Sequence, residues 1–167
     1  MKNLFVALLV VSLSGCAGYR IGDVKPHYLE GIRTIAVPTF GNETYQPRVE
    51  VLLTNTVIKQ LQQDGTFRID TEDKADAVLR GTVRAVSRSP ARSVRGNVLA
   101  TTEFNLNVGL RYSLLGKDGQ PIVGPADVVG TTNFFVGSDV TTEQRQALPL
   151  ATEDLAVRLA SQLSEGW

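Results

Sequence analysis

The sequence predicts an α/β (α+β) fold in two layers: a mixed, mostly antiparallel sheet of about four strands with two helices packed on one face. The expected element order is β-α-β-β-β-α. Three observations support this class. Residues 103–114 alternate strictly between polar and apolar side chains, two other stretches carry apolar residues at helical spacing, and β-branched segments flank the first of these stretches.

The first strand and the first helix are expected within residues 32–65. The segment "IRTIAVPTFGN" is rich in β-branched residues, and Pro38 should end the strand, kink it or place it at an edge. After the turn-rich "GNETYQ", Pro47 stands where a first helical residue would be. Apolar residues then recur at helical spacing up to Gly65, which predicts a helix.

The middle of the chain predicts strands. "TFRID" indicates a short one, and residues 77–89 alternate in polarity. "TTEFNLNVGLRYSLL" alternates over a longer stretch, which is typical of an antiparallel strand with one face packed and one face in water. Asp118-Gly119 is a hairpin signal, so a returning strand is expected through residues 122–136, interrupted at Gly124-Pro125.

The last predicted element is a helix over residues 142–166. Its apolar residues fall on one face, and Pro149 should kink this helix or mark its first turn. Both predicted helices are amphipathic, and the long strand has one polar face. The economical packing therefore places both helices on the apolar face of the sheet and leaves the other face open.

The N-terminus predicts export and lipidation. Lys2 precedes an apolar run that is too short to span a bilayer, so residues 1–15 are interpreted as a signal peptide. Leu13-Ser14-Gly15-Cys16 resembles the lipobox of bacterial lipoproteins, which implies cleavage before Cys16 and lipidation of its thiol and amine. Residues 16–31 would form the lipidated cysteine and tether, and residues 32–167 a single domain. Cys16 is followed by Ala17 rather than by an aspartate, and by resemblance to lipoprotein sorting in Gram-negative envelopes this favours the outer membrane, on its periplasmic face.

Composition excludes several function classes. Lys and Arg number 17 and Asp and Glu number 17, a balance that argues against a general nucleic-acid binder. A lone histidine, a lone cysteine and the lack of a glycine-rich phosphate loop argue against an enzyme, and no metal ligand set is present. We therefore expect no catalytic residue, no metal and no cofactor beyond a covalent lipid on Cys16.

A family resemblance sharpens the prediction. "GYRIGDVKPHYLEGIRTIAVPTFGNETYQPRVEVLLTNTVIKQLQQDGTFRI", followed by "ADAVLRGTV", resembles the LptE family of lipopolysaccharide-assembly lipoproteins. The resemblance is densest from Gly18 to Val83. It implies a two-layer α/β domain that sits inside or against the outer-membrane β-barrel translocon LptD, helps that barrel to assemble, and binds lipopolysaccharide.

A group of arginines is the candidate anion-binding surface. No acidic residue falls between Asp76 and Glu103, whereas five arginines do: Arg80, Arg84, Arg88, Arg92 and Arg95. The spacing of four between the first three would place them on one face of an extended strand. The planar arginine fork suits the phosphates of lipid A, although exposed arginines also serve solubility and block edge aggregation.

Phe134 and Phe135 are the candidate partner contacts. They lie together near the end of the predicted returning strand. Adjacent aromatics at a strand end can straddle the core and its rim or form a contact for another protein.

An alternative class of function stays open. "ADAVLRGTV" and the strand-helix-strand start are also similar to envelope lipoproteins of the CsgG and LpoB kind, which build secretion pores or activate peptidoglycan synthases. A structural lipoprotein with neither a barrel nor a lipid ligand is a third possibility. The partners that co-purify with the protein separate these readings.

Overall fold

One mixed sheet and two helices on the same side of it make up the fold. The computed structural model describes residues 25–93, 101–137 and 139–165. A 3₁₀ turn, His27–Leu29, precedes the main elements. These are, in chain order, β1 (Thr34–Ala36), β2 (Gly41–Asn42), α1 (Val49–Asp64), β3 (Arg68–Ile69), β4 (Ala77–Ser93), β5 (Thr101–Gly116), β6 (Pro121–Phe135) and α2 (Val140–Glu165).

The sheet combines a parallel part with an antiparallel meander. Its strand order is β3-β1-β4-β5-β6, and β2 pairs with β4 further along the same edge as β1. β1 is parallel to β3 and β4, whereas β4, β5 and β6 are antiparallel to one another. The predicted class is confirmed. The sheet has six strands rather than about four, since the segment around Pro38 contributes two short strands and "TFRID" a third.

Helix α1 is bounded by two residues with left-handed backbone. Arg48 precedes it with φ 63°, so the helix begins at Val49 rather than at Pro47. Gly65 ends it with φ 79° and donates its N–H to the Leu61 carbonyl at 3.1 Å, a conformation that glycine adopts without steric cost. Its apolar stripe lies at helical spacing and is buried, at Val49, Leu53, Val57 and Leu61.

Helix α2 is the longer helix and packs on β6 and α1. It continues through Pro149, and its buried stripe includes Ala151, Leu155, Leu159 and Leu163. Gly130 of β6 allows this contact, because a Cβ there would overlap the Ala151 carbonyl oxygen and the Leu155 side chain. Neither described helix has an apolar stretch long enough to cross a bilayer.

The end of the predicted tether belongs to the folded domain. Leu29 is fully buried, and the Lys25 ammonium lies 4.7 Å from the centroid of the Phe67 ring. The chain therefore contacts the core from Lys25 onward. Residues 1–24, including the predicted signal peptide and Cys16, lie outside the described residues.

Asp76 joins the starts of β1 and β4. Its Oδ2 accepts hydrogen bonds from the Arg33 N–H (3.1 Å), the Thr34 N–H (3.1 Å) and the Thr34 hydroxyl (2.9 Å). Lys117 lies 3.2 Å from the other carboxylate oxygen. The hydrogen bond from the Arg33 backbone, followed by those from Thr34 and Lys117, holds the pKa of Asp76 far below its ordinary value.

A β-bulge at Arg84 changes which face the side chains of β4 occupy. Val83 pairs with Leu110, but Ala85 rather than Arg84 pairs with Gly109. The extra residue shifts the alternation by one, as an inserted residue does in an antiparallel pair. Before the bulge the even-numbered residues face away from the helices, whereas after it the even-numbered residues lie on the helix side.

Candidate functional site

The candidate site lies on the sheet face that neither described helix covers, which we call the outer face. The register places Arg80 opposite Ser113 and Thr82 opposite Arg111, which in turn lies opposite Asp127. These pairs point away from the core, because the residues that alternate with them, such as Leu79, Leu110 and Tyr112, are buried. The outer face is therefore polar and open, as the alternation predicts.

Three arginines lie in the middle of the outer face: Arg80, Arg84 and Arg111. Each pairs with a carboxylate that lies closer to the border of that face. Arg84 pairs with Glu43 at 2.5 Å, and Arg80 with Glu72 at 2.7 Å. Arg111 donates Nε–H and Nη2–H hydrogen bonds to the two Asp127 oxygens at 2.9 and 2.8 Å, lowering the pKa of Asp127 and raising its own pKa. The centre of the face is thus positive and its borders are negative.

A concave bay opens between Arg80 and Arg111. Its cavity of about 460 Å³ is lined by Thr39, Arg80, Thr82, Arg111, Ser113 and Pro125, among others. Guanidinium groups and hydroxyls converge there within one open depression. Such a set can donate hydrogen bonds to phosphate and sugar oxygens, since arginine offers a planar fork and hydroxyls both donate and accept.

The arginines of the bay can exchange their partners. The side chains of Arg80 and Glu72 are 57% and 49% exposed, and those of Arg111 and Asp127 are 53% and 58% exposed. Exposed ion pairs stabilise a fold little, because water and salt screen them. An incoming anion with several oxygens can therefore displace the carboxylates without loss of the fold.

The sequence prediction that Arg80, Arg84 and Arg88 share a face is wrong. Arg80 and Arg84 are on the outer face, but the bulge turns Arg88 to the helix side, opposite buried Leu106. There its guanidinium donates to Gln144 of α2 at 3.1 Å and lies 5.7 Å from the centroid of the Phe104 ring. The backbone of Arg92 belongs to β4, while its side chain and all of Arg95 lie outside the described residues.

Arg111 was not among the predicted site residues. It occupies an outward position in the long alternating segment, so its face follows from the same alternation that places Leu110 and Tyr112 inside. Its proximity to Arg80 could not be read from spacing along one strand, because the two residues meet across the β4–β5 pairing.

Phe134 and Phe135 lie on opposite faces of β6. Phe134 is buried and stacks on Phe104 with the ring centroids 5.7 Å apart. Phe135 is 69% exposed and pairs with Glu103 on the outer face. Of the two predicted contact residues, Phe134 is therefore part of the core, and Phe135 alone has an exposed side chain.

The acidic segment "TEDKAD" supplies structural contacts. Glu72 pairs with Arg80, and Asp76 joins β1 to β4. Across residues 25–93, 101–137 and 139–165, no group of three or more His, Cys, Asp or Glu side chains is arranged to hold a metal ion.

Solved structures similar to this one include bacterial lipoproteins. A minor lipoprotein of Acinetobacter baumannii is 16% identical, with a TM-score of 0.56 over 81% of this chain and 95% of that one. The protein XCC0632 of Xanthomonas campestris is 15% identical, with a TM-score of 0.55 over 80% and 85% of the two chains. A dodecameric PelC variant of Paraburkholderia phytofirmans is 18% identical, with a TM-score of 0.50 over 79% and 89%. These likenesses establish a shared fold.

Sequence comparison identifies a family over most of the chain. The model of LptE, described as lipopolysaccharide-assembly, matches residues 32–165. No curated protein matches the sequence significantly. The matched range begins just before β1 and ends with α2, so it takes in all the strands and α-helices of the described residues.

Proposed function

This chain belongs to the lipopolysaccharide-assembly family LptE, and we propose on that premise that it is a lipid-anchored partner of an LptD-type outer-membrane β-barrel. The role of the family is assembly in the cell envelope rather than catalysis. In this proposal the domain sits in or against the barrel and binds lipopolysaccharide as it is delivered to the outer leaflet. Cys16 carries the acyl chains that hold the protein at the periplasmic face of the outer membrane.

One structural observation carries the lipid-binding part of the proposal. The open outer face holds a bay of about 460 Å³ in which Arg80 and Arg111 converge with the hydroxyl-bearing residues Thr82 and Ser113. Lipid A is a phosphorylated glycolipid, so its head group offers both phosphate and sugar oxygens. The donor types in the bay match both, and bidentate arginine contacts favour phosphate.

The partner is tested by co-purification. The tagged full chain is isolated from detergent-solubilised envelopes, and its partners are identified by mass spectrometry. We expect a large outer-membrane β-barrel in stoichiometric amount. A homo-oligomer of this chain without a barrel, comparable to the dodecamer of the PelC variant, would instead favour the secretion-pore alternative and refute the barrel partnership.

Lipid binding is tested by charge reversal in the bay. The double variant Arg80→Glu and Arg111→Glu should bind labelled lipopolysaccharide on the order of tenfold more weakly than the parent, because it replaces two charge-assisted contacts by repulsion. The matched control reverses two exposed cations outside the bay, Lys59→Glu and Arg68→Glu, and should bind like the parent. Equal binding by both double variants would remove the bay from the proposal.

The anchor is tested separately. Cys16→Ser removes the lipidated thiol, and two or three acyl chains are what a firm membrane attachment needs. The variant should move from the membrane fraction to the soluble periplasmic fraction and should incorporate no labelled palmitate. Retention of the variant in the membrane fraction of cells that lack the barrel partner would contradict the proposed anchor.

A further inference from the structure

The edge of β4 is only partly covered by other strands. On the side away from β5, Ala77 and Val78 pair with β1, and Thr82 and Val83 pair with β2. From Ala85 onward, β4 has a ladder partner in β5 alone, within the described part of the chain. Exposed strand edges are templates for another strand, because their N–H and C=O groups lack a partner.

A local turn ends the covering strand. The last contact along this edge is the Glu43 N–H donating to the Val83 carbonyl at 3.0 Å. The Asn42 side chain then redirects the chain: its Oδ1 accepts the Thr44 N–H at 2.8 Å, and its Nδ2 donates to the Gln46 carbonyl at 2.9 Å. Such side-chain hydrogen bonds build a turn, so β2 leaves β4 immediately after Val83.

The backbone groups of Val86 and Arg88 face the uncovered side. Val83 presents its carbonyl toward β2, away from β5. Val83, Val86 and Arg88 have the same orientation on β4 because the bulge inserts one residue between the first two. Their partners on β5 are Leu110, Val108 and Leu106, each two residues apart. In an antiparallel pair, residues two apart point their backbone groups to the same side. The N–H and C=O groups of Val86 and Arg88 are therefore available to an added strand.

A groove runs beside this open edge. A cavity of about 350 Å³ lies between residues 43–46, residues 84–86 and Gln144 of α2, and the side chain of Tyr45 is fully exposed at its margin. The opposite edge of the sheet is different, because Asp154 of α2 accepts the Thr131 N–H of β6 at 2.8 Å. The β4 edge thus combines open backbone groups with space for side chains.

The charge next to this edge indicates the chemistry of its occupant. Arg88 contacts the neutral amide of Gln144 and the Phe104 ring, and among the described residues no carboxylate pairs with it. No described carboxylate therefore offsets its positive charge, and its partner Gln144 lines the groove. Pro90 limits the open stretch to about residues 85–89, because proline has no N–H to offer the next strand position.

We propose that the β4 edge over residues 85–89 binds an extended, acidic segment of a partner polypeptide as an added strand, with one carboxylate of that segment on Arg88. Main-chain hydrogen bonds to Val86 and Arg88 supply the attachment, and Arg88 selects acidic side chains. The inference does not depend on glycolipid binding in the bay, which lies on the other face of the sheet.

The test uses the full chain in detergent and a ten-residue peptide that alternates Val and Glu. Peptide binding should slow amide hydrogen exchange at Val86 and Arg88 by about tenfold or more, because both N–H groups enter hydrogen bonds. A peptide with alternate backbone nitrogens methylated should fail to bind, and one that alternates Val and Lys should bind more weakly. Unchanged exchange at Val86 and Arg88, or equal binding of the methylated peptide, would overturn the proposal.

Charge reversal completes the test. Arg88→Glu should weaken binding of the Val/Glu peptide roughly tenfold, while Arg68→Glu, an exposed cation on β3, should leave it unchanged. Equal losses in the two variants would show a nonspecific charge effect and refute the role of Arg88. Protection of the same amides without peptide, together with a dimer in sedimentation, would assign the edge to a second copy of the chain and also refute the proposal.

Discussion

The Arg111 guanidinium on β5 and the Asp127 carboxylate on β6 form a bidentate pair across the outer face, at 2.9 and 2.8 Å. The pair holds one of the two arginines of the bay toward the border of the sheet. Its carboxylate competes with any anion that approaches Arg111, so the strength of anion binding should depend on Asp127.

Removing the charge of Asp127 should strengthen anion binding. Asp127→Asn keeps the size of the side chain but releases Arg111 from its competing carboxylate, so affinity for lipopolysaccharide should rise severalfold. Because the pair is exposed, the midpoint of thermal unfolding should change little. Titration with labelled lipopolysaccharide measures the effect. The control is Glu30→Gln, because Glu30 is an exposed acid that does not line the bay. Weaker binding by Asp127→Asn would contradict the competition.

Acid should destabilise the domain through Asp76. Its hydrogen bonds with the Arg33 and Thr34 backbone hold its pKa below the ordinary value, so the unfolded chain takes up the proton first as the pH falls. The contribution of Asp76 to stability is full above about pH 4. It is lost below that value, as the pH falls toward the lowered pKa of the folded state.

The pH dependence is measured by urea unfolding between pH 7 and pH 2. Asp76→Asn should be less stable than the parent at pH 7, and the difference should shrink toward pH 2. Asp73→Asn is the matched control, because Asp73 is exposed in the same segment and makes no hydrogen bond in the described part of the chain. A constant difference between Asp76→Asn and the parent across this range would exclude Asp76 as the titrating group.

The contact between β6 and α2 should not tolerate a methyl group at position 130. Gly130→Ala places a Cβ against the Ala151 carbonyl and the Leu155 side chain, so it should cost about 1–3 kcal/mol of unfolding free energy. Gly109→Ala on β5 is the control, since a Cβ there would lie 3.8 Å from the Ala85 Cβ in ordinary contact. Denaturant unfolding compares the two, and equal stability of both variants would contradict the close packing.

Removal of the Thr54 hydroxyl should lower the free energy of unfolding more than removal of the Thr56 hydroxyl from the same helix. Thr54 accepts the Phe40 N–H at 3.0 Å and donates to the Glu50 carbonyl at 2.7 Å, so Thr54→Val leaves a buried N–H without a partner. We expect a loss of about 1–3 kcal/mol. Thr56 donates to the Leu52 carbonyl within α1 and accepts no hydrogen bond in the described part of the chain, so Thr56→Val should cost less. The reverse order in urea unfolding would show that the Phe40 contact contributes little.

Side-chain alternation predicts the faces of β5 well and those of β4 poorly. Leu106, Val108 and Leu110 are buried as the period of two requires, because the extra residue of the bulge belongs to β4 and β5 itself is uninterrupted over that stretch. β4 has its bulge at Arg84, where neither glycine nor proline signals an irregularity, so Arg88 was assigned to the wrong face.

The carboxylate partners of the site arginines could not be predicted from the sequence, for a different reason. Glu43, Glu72 and Asp127 come from three separate segments and meet the arginines only when the sheet assembles. The bay itself needs β4, β5, the segment between β1 and β2, and Pro125 together. Local spacing carries no information about contacts of this kind, which depend on strand order and register.

The position of β1 between β3 and β4 has a consequence for how the chain matures. β1 lies near the start of the described chain, yet its two neighbours begin only at Arg68 and Ala77. By contrast β4, β5 and β6 are joined by short connections, and such local pairings form with the smallest loss of chain entropy. The strands β4, β5 and β6 should therefore pair first, and β1 should join the sheet last. With the lipid anchor proposed above, the part of the domain that folds last would be the part next to the acyl chains.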